Sequence, residues 1–116
     1  MSYLGNLTFR LAASSLQLDV ERRMLHAEYL KSLQTDRGGF PGRKGGDDCY
    51  YTAFAIRALT MLGMLDEETA RRTSEFFVGC LRDEKSLPNI DFLSLMFSDL
   101  LLDMTWQCSP MMTVGL

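Results

Sequence analysis

Two aspartates, a cysteine and two tyrosines stand in a row, Asp47-Asp48-Cys49-Tyr50-Tyr51, between a glycine-rich stretch and an apolar run. Carboxylate, thiol and phenol groups in such proximity can move protons or act as nucleophiles. They also have plain structural uses. Asp47 or Asp48 can cap a helix and meet its positive end, and Cys49 can be a small buried apolar residue. Arg57 is the one charge inside the apolar run, and a buried guanidinium must find an anion. It pairs with Asp48, Asp91 or Asp99, or it lines a cavity and meets a diphosphate. Tyr50, Tyr51, Phe54, Phe97 and Trp106 either line a greasy tunnel or fill a core. His26, the only histidine, falls near Leu30 and Leu33 and is expected in the core with one nitrogen hydrogen-bonded. Cys80 is expected to pack inward. Cys108 and the methionines from Met104 to Met112 sit in a tail with no readable role.

The elements that hold these residues are helical, because no segment alternates as a strand does and glycine and proline punctuate the chain. The spacing of apolar residues predicts helices over about 3–18, 20–34, 48–62, 67–82 and 91–106, with Asp19 capping the second. In the segment 20–34, Leu25, Tyr29, Leu30 and Leu33 cluster opposite Glu21, Glu28, Lys31 and Ser32, which predicts one buried face. The glycine-rich stretch 36–46 must be a loop. Segments 48–62 and 91–106 are apolar on nearly every side, so burial all round is expected of them, whereas 67–82 is two-faced. Buried helices thus alternate with half-exposed ones, as inner and outer layers do. A faint period of roughly forty residues accompanies the alternation. It sets 30–34 against 78–82 and Asp48 against Asp91.

The chain of 116 residues allows one domain with a modest core. Its hydrophobic share of 47% and charged share of 23% are those of an ordinary globular protein. A net charge of −3 with dispersed Lys and Arg argues against a nucleic-acid partner. No apolar run is long enough for a membrane span, and the first residues lack the pattern of a secretory signal. Three widely spaced cysteines do not make a disulfide framework, so reduced thiols and a cytoplasmic location are expected.

The stretch Gly38-Gly39-Phe40-Pro41-Gly42-Arg43 followed by Asp47-Asp48-Cys49-Tyr50 resembles the repeat of protein prenyltransferase β subunits, in which a glycine-rich loop leads to D-x-C-Y at the head of an inner helix. The continuation from Tyr51 through Leu62-Gly63 also looks like prenyltransferase and squalene-cyclase repeats, and similar bacterial repeat proteins keep the loop and the Y-Y-T segment. The detailed likeness covers about a quarter of the chain. It implies an all-α fold, a partial α/α toroid of the terpenoid-cyclase superfamily in which residues 1–116 form a single segment. It also implies that Asp47 and Cys49 are zinc ligands and that Arg57, Tyr50, Tyr51 and Phe54 face an isoprenyl diphosphate. A helix N-terminus favours the thiolate that zinc needs. The activity so implied is transfer of an isoprenyl group to a cysteine thiol of an acceptor protein. Two departures stand out: the loop between Arg43 and Asp47 is short, and no histidine follows residue 26 to act as the third ligand.

Three functions follow. The chain is part of a zinc-dependent prenyltransferase-like enzyme, or a non-catalytic toroid module for protein interaction or oligomerisation. A cyclase needs a D-x-D-D acid that Asp47-Asp48 does not supply, and is set aside. A closed ring implies about six hairpins against about two and a half here, which predicts either a longer chain or a homo-oligomer.

Overall fold

Four of the described helices begin where the sequence supplies a side-chain acceptor for their free amides. The computed structural model describes residues 10, 19–83 and 89–115, with side chains in the last segment from residue 91 onward. Helix α1 (Val20–Ser32) starts at Asp19, whose carboxylate accepts from Arg22 N at 2.8 Å. Helix α2 (Cys49–Met61) is capped by Asp48 through Tyr51 N at 2.9 Å, and α3 (Glu67–Arg82) by Asp66 through Thr69 N at 2.7 Å. Helix α4 spans Asn89–Trp106, and a single turn, α5 (Pro110–Thr113), is capped by Ser109. At the end of α2, Gly63 takes φ +70°, Gly63 N donates to Thr60 O, and Met64 N to Leu59 O. That paired closure of the last carbonyls needs a left-handed residue, which glycine supplies without strain.

The protein is all-α, and among the described residues there is no strand, only an isolated bridge between Pro41 and Asp47 that closes the loop. No described helix is long and apolar enough to cross a membrane. The helix expected over 3–18 lies outside the described residues, apart from Arg10, which is helical.

Helices α2 and α4 make the most extensive contact, and α3 covers both. The core they share comprises Cys49, Ala53, Ile56, Ala70, Phe77, Leu95 and Leu102. Removing such side chains from water is the main favourable term in folding. A second cluster, Ala27 with Leu59 and Leu62, seats α1 against the end of α2.

Three expectations are corrected. The apolar side of the segment 20–34 is not its buried side: Leu25 is 61% and Tyr29 66% exposed, and only Ala27 of α1 is fully buried. Polar anchors turn the helix. Lys31 Nζ sits 2.6 Å from Asp66 Oδ2, and the Gln34 amide donates to Gly38 O and Thr73 Oγ1, which points the Ala27 side inward. His26 is consequently exposed rather than a core residue. Finally, α2 and α4 are not buried all round, since each leaves an apolar stripe in solvent.

Candidate functional site

The glycine-rich loop is pinned from both sides. Phe40 is buried, Phe40 N donates to Thr52 Oγ1 at 2.9 Å, and Asp48 N donates to Phe40 O at 3.0 Å. From α3, Arg72 donates to Thr35 O at 2.7 Å. Gly38 lies so close to α3 that a Cβ there would stand 2.0 Å from Arg72 O. The loop thereby fixes the head of α2, where the expected metal pair stands.

Asp47 and Cys49 do not converge. The Asp47 carboxylate accepts from Thr35 Oγ1 at 2.7 Å, within the loop. The Asp48 carboxylate caps α2. Cys49 is 7% exposed and points toward α3, where its Sγ lies 3.2 Å from Sγ of Cys80. The Cys49 S–H donates in that contact. Its thiol is pushed up by the hydrogen bond to Cys80 and then by burial, while acceptance from Cys49 draws the Cys80 thiol down, so Cys80 is the sulfur that ionises first. Asp91, in the first turn of α4, is raised by burial and by the neighbouring Asp48. Among the described residues no three His, Cys, Asp or Glu side chains are grouped to hold a metal ion. A zinc held by Asp47 and Cys49 would require Asp47 to leave Thr35 and Cys49 to turn from Cys80.

The expected substrate-facing residues are gathered elsewhere. Along α2, Tyr50, Phe54, Arg57 and Met61 recur at helical spacing on one side, with Tyr50 and Phe54 exposed, Phe54 at 58%. Along α4, Leu93, Met96, Phe97, Leu100 and Met104 do the same, with Leu93 at 65%. The Arg57 guanidinium lies 4.7 Å from the centre of the Phe97 ring. That contact joins the two stripes into one surface, because Arg57 belongs to the first and Phe97 to the second. Tyr51 is half-buried at the margin, its ring edge-on to Tyr50 at 5.7 Å.

Arg57 pairs with none of the three aspartates expected of it. Among the described residues its Nε is buried without a hydrogen-bond partner, and its guanidinium makes a cation–π contact with Phe97. Asp48 is occupied by its cap and Asp99 by Ser109 Oγ and Met111 N, at 2.6 and 2.9 Å. The Trp106 indole N–H donates to Leu65 O at 2.8 Å. Cys108, expected to be uninformative, has a structural place, since its carbonyl accepts from Ser74 Oγ at 2.7 Å. The proximity of Cys49 to Cys80 escaped sequence reasoning. The available signal was that Cys80 faces inward one hairpin after Cys49.

No family model matches this chain, and neither does any curated protein or solved structure.

Proposed function

We propose that this chain is a non-catalytic arc of an α/α toroid whose two central helices bind a second copy of the chain. The observation that carries the reading is the continuous apolar surface made by the exposed stripes of α2 and α4, with the Arg57 guanidinium against the Phe97 ring at its seam. Apolar residues spaced along two touching helices mark a surface that packs against something. In the toroid architecture such helices pack against further hairpins of their own kind, and another copy supplies them. Asp103, exposed at the rim of the α4 stripe, gives a facing copy a carboxylate to offer Arg57. The charge of −3 per chain is too small to oppose the contact strongly.

Sedimentation equilibrium of the reduced protein tests this directly. The expected result is concentration-dependent dimerisation, weakened at least tenfold, or about 1.4 kcal/mol, by Phe54→Glu with unchanged helix content. A chain that stays monomeric up to its solubility limit overturns the reading.

A second reading is zinc-dependent transfer of an isoprenyl group to a cysteine of an acceptor protein. Its support is that Arg57, Tyr50 and Phe54 share one stripe, a cation within an apolar wall suited to an isoprenyl diphosphate. Under this reading the purified protein carries near-stoichiometric zinc, and Cys49→Ala abolishes it. Zinc-free protein with a normally folded Cys49→Ala variant counts against it.

A further inference from the structure

We infer that Cys49 and Cys80 form a reversible dithiol–disulfide centre that exchanges with small-molecule disulfides and covalently ties α2 to α3. The two sulfurs are 31 residues apart in sequence and 3.2 Å apart in space, about 1 Å beyond a disulfide bond length. Both cysteines are free thiols here. One belongs to the first turn of α2 and the other to the last turn of α3, so two packed helices hold them together without a flexible segment.

The pair is asymmetric in a way that assigns the roles. Cys49 lies inside the core, whereas Cys80 is half-buried and opens onto a groove of about 440 Å³ lined by Arg37, Glu75, Phe76, Gly79 and Asp83. A small disulfide such as oxidised glutathione reaches Cys80 first. The Cys80 thiolate attacks one sulfur of that disulfide, whose S–S bond breaks and releases one small thiol carrying the proton that Cys80 gave up. Cys49, already in contact with Cys80 Sγ, then attacks that sulfur in the mixed disulfide. Its proton leaves with the second small thiol. Two protein thiols are oxidised, one small disulfide is reduced, and the direction depends on the ratio of small thiol to disulfide. The third thiol, Cys108, sits near the start of α5 with its own contact to Leu102 O and takes no part. Both sulfurs lie off the apolar stripe, so oxidation and self-association are measured independently.

The full-length chain is equilibrated across a series of reduced-to-oxidised glutathione ratios, quenched by alkylation, and mapped by peptide mass. Two of the three thiols are expected to be lost together, with a peptide joining Cys49 to Cys80 and Cys108 alkylated at every ratio. Reducing agent restores both. Cys49→Ser is expected to leave Cys80 as the glutathione adduct, and Cys108→Ser to leave the oxidation unchanged. Three free thiols throughout the series, a bond to Cys108, or a bond between chains overturns the inference. If Cys49→Ser does not fold, the map of the unaltered chain decides alone.

Discussion

Gly38 and Gly45 share nearly the same φ, +92° and +93°, but not the same surroundings. A Cβ at Gly45 meets open space, whereas one at Gly38 meets Arg72 O at 2.0 Å. A left-handed conformation costs an ordinary residue roughly 1 kcal/mol. Gly45→Ala is therefore expected to lower stability by about that amount. Gly38→Ala should cost clearly more, because α3 must also move away from the loop. Urea unfolding of both variants checks this, and equal losses would mean that the loop does not bear on α3. At this scale the sequence was readable where chemistry is local. Asp19 and Asp48 cap helices because a short acceptor ahead of an apolar run has few other uses. Contacts between distant residues left no such trace. Nothing in the spacing of Cys49 and Cys80, or of Arg57 and Phe97, distinguishes neighbours from strangers.

The helices themselves were legible, and their faces only partly so. The four described long helices lie where the apolar spacing and the breaks at glycine and proline put them, although α1 stops at Ser32 and α4 starts at Asn89. For α3, two-faced as its spacing requires, the inward side carries Ala70, Thr73 and Phe77, all fully buried. For α1 the expected face was wrong, because a helix at the margin of a small core is oriented by its strongest anchors rather than by its greasiest side. The Gln34 amide bridges the loop and α3, and Lys31 reaches Asp66, and those contacts set the rotation. The opposite error affected α2 and α4. A helix apolar on every side reads as enclosed, and whether enclosure is complete depends on how many neighbours the chain supplies. The candidate site divides the same way. Arg57, Tyr50 and Phe54 do share a face, as their spacing requires, but the Asp47 and Cys49 side chains diverge because positions two apart at a helix start point in different directions.

Across the whole molecule, stability is expected to be uneven, with α1 the weakest element. It buries only Ala27 fully and is tied to the rest by the Ala27–Leu59–Leu62 cluster, by Gln34 and by the Lys31–Asp66 ion pair. Helices that contribute so little to a core open without global unfolding. Asp66 joins α1 to α3 and also caps α3, so its charge acts on both. Burial alone would raise its carboxyl, but the bond from Lys31 and those from Thr69 outweigh burial and hold it below the ordinary value. A carboxyl lowered in the folded state contributes stability above its unfolded value, about pH 4, and that contribution is lost as pH falls through the folded value. Acidification should therefore loosen α1 first. Asp66→Asn keeps an acceptor for the cap and removes the charge, which isolates the ion pair. Because both partners are partly exposed, the expected loss near neutral pH is only about 0.5 kcal/mol, roughly a twofold faster amide exchange confined to α1. The difference between the variant and the unaltered chain should shrink toward zero in acid, where Asp66 is protonated in both states. Exchange rates that change equally in α1 and in α2 would show instead that α1 unfolds only with the core.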